Sequence, residues 1–355
     1  MDSVEQAADR VGVDYIHSVA MSDIERILAE EFGERFRSYR LDYRRSLNYP
    51  QHEEVPPFPL TVSLELVNRC NLKCIMCYTA HHLETKSTLA LGTIEKVLAE
   101  CQANDVPAMV IGMGSEALLY KNVREVVAKA RQAGVMDIFF GTNATLLDEA
   151  MSEFLVEQRV ARVEISLDAA TRETYARIRS KDELERVEAN VRKLVEVKRR
   201  LNSALPVVRL CFCVQPENLA EKDAFLAKWR DWVDYIDFQE RVDFQYVTPL
   251  IEGRTAALPS AEELPAKNVY CDYPFNSLHV WASGEVTPCC TYYGRALVLG
   301  NVKRQSLKEI WQGEKIATIR KELKTGNLNP TCRICLGSFD HGSFEQAKMA
   351  ADKPG

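Results

Sequence analysis

From Leu60 to about residue 255, short runs rich in β-forming apolar residues are separated by longer runs with helical periodicity. The short runs predict strands at 61–67, 108–112, 137–142, 162–167, 206–214 and 242–248. The long runs predict helices over 93–103, 121–133, 147–158 and 183–201. Repeated β-then-α units imply a parallel sheet with its chemistry at the strand C-termini, here six units in an open or partial barrel over 59–255. Upstream, Ser22-x-x-Glu25 reads as a capping box, and Ile24, Ile27, Leu28, Phe32 and Phe36 share a helical face. The run Val55-Pro56-Pro57-Phe58-Pro59 closes this N-terminal helical extension, 1–58, because proline and the residue before it favour extended backbone. Beyond 255, Leu278-His279-Val280-Trp281 and Val286-Thr287 flank Ala282-Ser283-Gly284-Glu285 as a hairpin. Ser306-x-x-Glu309 then opens a helix carrying Ile310, Trp311, Ile316, Ile319 and Leu323. The expectation is a small C-terminal α+β domain, 256–345, with a polar tail at 346–355.

One predicted strand is unusual. Val208, Leu210, Phe212 and Val214 form one face, while Arg209, Cys211, Cys213 and Gln215 form the other. A polar face on a buried parallel strand must line a cavity, since burying such groups without partners is costly. Cys213, the cysteine nearer the C-terminal end where sites gather, is a candidate hydrogen-atom donor; the alternative is a small thiol used as packing.

Composition narrows the class. The 45 basic and 51 acidic residues of the 355 give a net charge of −6, too mild for a nucleic-acid surface. The basic aromatic strip Arg37, Tyr39, Arg40, Tyr43, Arg44 and Arg45 is therefore expected to be a solvated helix face. The N-terminus lacks the basic start and apolar run of a secretory signal, and no run of about 18 apolar residues could span a bilayer. A cytoplasmic protein without membrane or nucleic-acid partners is expected. Eleven cysteines are many for a reducing compartment, so metal binding or redox chemistry explains them better than disulfides.

The spacing of those cysteines matters most. Cys70, Cys74 and Cys77 follow the first barrel strand directly as C-x3-C-x2-C, with Tyr78 after them. Three thiolates on a four-iron cluster leave one iron open to a chelating ligand; a zinc site completed by His81 or His82 is the alternative. This motif resembles the signature of the radical S-adenosylmethionine (SAM) superfamily. The resemblance implies a partial (β/α)6 TIM-like barrel and a [4Fe–4S] cluster whose open iron binds SAM and splits it to a 5′-deoxyadenosyl radical. Tyr78 then lies against the adenine. Gly112-Met113-Gly114-Ser115-Glu116-Ala117 resembles the family's glycine-rich segment, with Ser115 in place of a glycine and Ala117 in place of the proline. It assigns Gly114, Ser115 and Glu116 to SAM. Thr142-Asn143 and Ile165-Ser166-Leu167-Asp168 are similar to further SAM-contacting segments, giving Asn143, Ser166 and Asp168 the same role. Asp168 could instead cap the following helix.

A second group, Cys271-x12-Gly284-x4-Cys289, a gap, then Cys332-x2-Cys335, resembles the SPASM/twitch extension, which holds auxiliary clusters. Four thiolates imply one fully ligated auxiliary [4Fe–4S] cluster, with Cys290 able to exchange for Cys289; from spacing alone, a four-cysteine zinc would serve equally. The resemblance covers about residues 60 to 340. It implies an oxidoreductase fed by an external donor such as flavodoxin or ferredoxin. Three outcomes remain open: net oxidation of a sugar or aminocyclitol-like small molecule, epimerisation with Cys213 as hydrogen donor, or maturation of a ribosomal peptide. The carbohydrate-like substrate is favoured because residues 1–58 look too short and helical for a leader-binding domain. A non-catalytic metal scaffold is the remaining reading, and it predicts no SAM cleavage.

Overall fold

A computed structural model describes residues 16–49, 55–264 and 270–338; the predicted polar tail lies outside the described residues. Six strands run parallel: β2 (Thr61–Leu64), β3 (Ala108–Ile111), β4 (Asp137–Thr142), β5 (Arg162–Ser166), β6 (Val207–Val214) and β7 (Tyr235–Glu240). Helices connect them, over Leu91–Ala103, Val123–Gln132, Glu149–Glu157, Leu184–Arg200 and two shorter stretches, Arg172–Arg179 and Lys222–Trp229, which periodicity did not disclose. Added strands extend both edges of this partial barrel. β1 (Ile16–Ala20) pairs antiparallel with β7, and β8 (Ser277–Val280) lies parallel to β2, followed by β9 (Glu285–Thr287) and β10 (Gly300–Asn301). The C-terminal hairpin therefore continues the barrel's own sheet, in the order β1-β7-β6-β5-β4-β3-β2-β8-β9-β10.

Four expectations change, one of them beyond the barrel: the helix opened by Ser306 ends at Trp311, and after the break at Gly313 the residues Ile316, Ile319 and Leu323 lie on a second helix, Glu314–Thr325. The N-terminal extension is not helical throughout, because β1 precedes its helix, Ile24–Leu47. That helix is capped by Asp23, whose side chain accepts from Arg26 N at 3.0 Å, while Ser22 donates to Asp234 Oδ1 at 3.1 Å. The sixth barrel strand is 235–240, not 242–248. The apolar alternation of Val242, Phe244 and Tyr246 instead feeds an aromatic cluster with Tyr78 and Tyr293. The true strand is masked by inward polar residues, such as Asp237, which pairs with Arg209 and Ser18.

Packing gives the barrel a floor and a mouth. Val208, Leu210, Phe212 and Val214 are fully buried, each contributing roughly 1.5–3 kcal/mol of transfer free energy. Leu28, Phe36 and Tyr39 of the N-terminal helix pack on Ala108, Met136, Ala161 and Val207, at the N-terminal ends of β3 to β6. Tyr43 meanwhile lies under the Arg40 guanidinium at 4.7 Å. The basic aromatic strip is thus partly spent on closing the floor, and the opposite mouth carries the cysteine loop.

Candidate active site

Cys70, Cys74 and Cys77 sit in the loop leaving β2. Asn68 folds this loop back: its Nδ2 donates to Glu65 Oε1 at 2.9 Å and its Oδ1 accepts from Thr85 N at 2.6 Å. Ile75 N donates to Ile178 O at 2.9 Å, fixing the loop to the helix that ends in Arg179. Each thiol then meets one donor from elsewhere in the chain. Asn143 Nδ2 lies 3.6 Å from Cys70 Sγ, Arg179 Nη1 lies 3.5 Å from Cys74 Sγ, and the Tyr292 hydroxyl lies 3.6 Å from Cys77 Sγ. Burial pushes the Cys70 thiol up to about 11 and raises Cys74 against the pull of Arg179, so metal binding must displace protons from both.

Ser115, Glu116, Asn143 and, through Arg179, Asp168 are tied to this loop. Glu116 is buried; it accepts from Thr142 Oγ1 at 2.8 Å, Leu118 N at 3.1 Å and Asn143 N at 2.7 Å. Burial raises its carboxyl and those donors lower it. It braces β4 against the glycine segment. Gly114 has φ +73°, and a Cβ there would meet Glu65 Oε1 and Trp281 at 3.4 Å; the Ser115 hydroxyl bonds Val67 O. Asn143 also donates to Asn71 Oδ1 at 2.9 Å. Tyr78 is buried, with its ring stacked on His82 at 4.6 Å and its hydroxyl on Thr248. Ser166 is half-buried at the end of β5. Asp168 does not cap the next helix, a task Thr171 takes. It pairs with Arg179 and accepts from Cys213 N at 2.7 Å. Burial and then Asp168 push the half-buried Cys213 thiol up, keeping its hydrogen in place.

The second group gathers around a cavity. Cys271, Cys289, Cys332 and Cys335 line one cavity, whereas Cys290 does not line it. Thr291 Oγ1 stands 3.5 Å from Cys289 Sγ and 3.8 Å from Cys335 Sγ, and Asn329 Nδ2 lies 3.3 Å from Cys332 Sγ. Only glycine fits at 294, where a Cβ would come within 2.6 Å of Cys289 Sγ. Burial pushes Cys289 and Cys332 up to about 11.

Family models match both halves: the Radical SAM superfamily over residues 64–225, and an iron–sulfur cluster-binding domain, SPASM, over 271–336. The chain belongs to the radical SAM superfamily. This radical SAM chain is 34% identical to a probable GTP 3′,8-cyclase of Methanothermobacter thermautotrophicus over 39% of its own length, and spans only 45% of that relative. It is 25% identical to the tungsten-containing aldehyde ferredoxin oxidoreductase cofactor-modifying protein of Pyrococcus furiosus, over 77% of this chain and 86% of the relative. Its fold is similar to that of Streptococcus suis SuiB bound to S-adenosylmethionine, at TM-score 0.55 and 17% identity, covering 84% of this chain and 77% of SuiB.

A [4Fe–4S] cluster, SAM and auxiliary iron–sulfur binding come with this membership, and the residues fit them. No group of three or more His, Cys, Asp or Glu among the described residues converges on a single metal ion. Instead, three thiols with three donors surround one loop and four thiols share one cavity. Sulfur-directed donors and a neighbouring cation suit a multi-iron, negatively charged centre. Arg179, Tyr292 and the buried ion pair Glu65–Arg295 at 3.2 Å were missed from sequence. Glu65 continues the inward series Thr61, Ser63 and Glu65, a signal alternation does carry; nothing local marks Arg179. No helix among the described residues is long and apolar enough to cross a membrane.

Proposed function

We propose that this radical SAM enzyme takes a hydrogen atom from a C–H bond of a small, polar, carbohydrate-like substrate and oxidises it. What supports this reading is the cavity lined by Cys271, Cys289, Cys332 and Cys335, since four thiolates in one place can ligate a cluster fully and leave it no open position for substrate. When bound, the three-cysteine cluster and SAM supply reductive SAM cleavage and hydrogen-atom abstraction, and the auxiliary cluster supplies an acceptor for the substrate's remaining electron. Cys70, Cys74 and Cys77 hold the first, with Gly114, Ser115, Glu116, Asn143, Ser166 and Asp168 on the SAM side and Tyr78 against the adenine.

A polar substrate is supported by Gln215, at the mouth end of β6. Its Nε2 lies 3.9 Å from Met76 Sδ of the cysteine loop, while its buried Oε1 has no partner, an acceptor suited to a hydroxyl. Residues 16–49 are engaged in the sheet edge and barrel floor, which favours a small molecule over a peptide held by that segment. Epimerisation is the second reading, favoured by the inward, protonated Cys213.

The test is anaerobic turnover with aminocyclitols and sugars deuterated at a secondary alcohol carbon, with short peptides as controls. Deuterium in 5′-deoxyadenosine together with a ketone product, unchanged in Cys213→Ala, is the expected result. An epimer that disappears in Cys213→Ala establishes the second reading, and transfer from peptides alone overturns both.

A further inference from the structure

Of the three donors around the first cysteine group, two come from the barrel and one does not. Asn143 follows β4 and Arg179 ends a barrel helix, but Tyr292 belongs to the segment Cys289–Arg295, which also lines the second cysteine cavity. This segment is held at both ends. Thr291 Oγ1 accepts from Gly294 N at 3.3 Å and faces Cys289 and Cys335, while Arg295 pairs with the fully buried Glu65 of the barrel and lies 3.4 Å over the Trp281 ring. Tyr292 is enclosed by Phe244, at 4.9 Å edge-to-face, and by Tyr78 at 5.8 Å. Its hydroxyl therefore has a fixed direction, towards Cys77.

A sulfur bound to iron carries no proton, so in the loaded protein Tyr292 must be the donor of this contact. A hydrogen bond to a ligand sulfur favours the more negative, reduced state and raises the reduction potential. Hydrogen bonds to charged groups are worth about twice neutral ones, so losing one that strengthens on reduction changes the reduced-to-oxidised ratio on the order of tenfold.

We infer that Tyr292 is a positioning residue through which the auxiliary segment sets the reduction potential of the catalytic cluster. The inference rests on the reading of Cys70, Cys74 and Cys77 as that cluster's ligands. It gives the auxiliary segment a second task besides holding its own thiolates. The seating of Cys289 and Cys335 fixes Thr291, Thr291 orders the next turn, and that turn presents a hydroxyl to Cys77.

The test compares wild type with Tyr292→Phe in the fully reconstituted protein, which keeps the ring and removes only the hydroxyl. Iron content is measured first, and the two clusters are then followed by electron paramagnetic resonance in a redox titration. The expected result is a shift of the SAM-responsive cluster to lower potential, about tenfold fewer reduced clusters at a fixed potential near its midpoint, with the auxiliary cluster's midpoint and the iron content unchanged. An unmoved midpoint at full iron overturns the inference and leaves the ligand assignment standing. A variant that loses only the SAM-responsive cluster gives Tyr292 a part in assembly, and also overturns it. Should Tyr292→Phe hold neither cluster, wild-type protein carrying fluorotyrosine, a stronger donor of the same shape, decides by moving the same midpoint upward or not at all. A wild-type signal that does not respond to SAM overturns the underlying reading itself.

Discussion

The two cysteine groups solve opposite problems. Cys70, Cys74 and Cys77 lie within one eight-residue loop, Cys70 and Cys77 are only half-buried, and each sulfur has a separate polar partner. Cys271, Cys289, Cys332 and Cys335 are half-buried as well, but they come from three distant segments and wall a cavity, where Thr291 and Asn329 are their polar neighbours. The first group offers three thiols with a polar donor at each, which on the proposed reading leaves room for a reactant beside the metal. The other gathers four thiols, one more than the first group, around a single cavity. The contrast predicts different chemistry from similar residues.

The sharpest way to break this comparison is to remove one thiol from each. Cys74→Ala is expected to abolish 5′-deoxyadenosine formation and lose about four of about eight irons. Cys335→Ala should lose a similar share of iron yet still release 5′-deoxyadenosine, with oxidised product gone. Chromatography of the nucleoside products alongside an iron assay decides it; equal loss of SAM cleavage in both variants removes the distinction between the two groups.

A smaller effect probes the support around the first group. Arg179 is buried, pairs with buried Asp168 and donates to Cys74. Burial disfavours its charge, but Asp168 and Cys74 outweigh that and raise its pKa. Arg179→Met leaves the Asp168 carboxylate uncompensated, which costs about 3–5 kcal/mol of folding stability. Adding Asp168→Asn should recover part of the loss, because the two residues act as a pair. Urea midpoints of the two single variants and the double variant measure it, and strict additivity would refute the pairing.

How much of this was legible in the sequence follows from how local each feature is. The place of the cysteine loop after β2, β6 with its buried Val208, Leu210, Phe212 and Val214, and the Ser306–Glu309 capping box are each set by residues within one element and match the structure, whereas the helix that box opens ends at Trp311 and does not run on to Leu323. β7 did not, because Asp237 and Gln239 face inward to Arg209 and Cys211, partners visible only once the sheet is assembled. Arg179 and Tyr292 lie 105 and 215 positions from the sulfurs they touch. No periodicity encodes such contacts. Asp168 shows the converse: its φ of +58° takes it out of the strand series that had aimed it inward, yet it still reaches Cys213 and Arg179.

The mildest prediction concerns the seam where the two regions join in one sheet. His279 on β8 pairs in register with Ser63 on β2, is almost fully buried, and has Met113 Sδ 3.3 Å from Nδ1. Burial lowers its pKa from 6.5 to about 3, so the folded protein keeps the ring neutral. The unfolded chain binds a proton below about 6.5 and the folded chain does not. Stability from this residue is therefore full above pH 6.5 and falls as the pH drops towards 3, with a limiting slope of about 1.4 kcal/mol per pH unit. Between pH 6.5 and 5.5 the reconstituted wild type should lose about 1 kcal/mol more than His279→Leu, whose ring cannot titrate. Urea midpoints at the two pH values give the difference, and taking it between the two proteins cancels every group they share. Equal losses would mean that water reaches this seam and protonates His279 in place, so that the two halves are joined less tightly than their common sheet indicates.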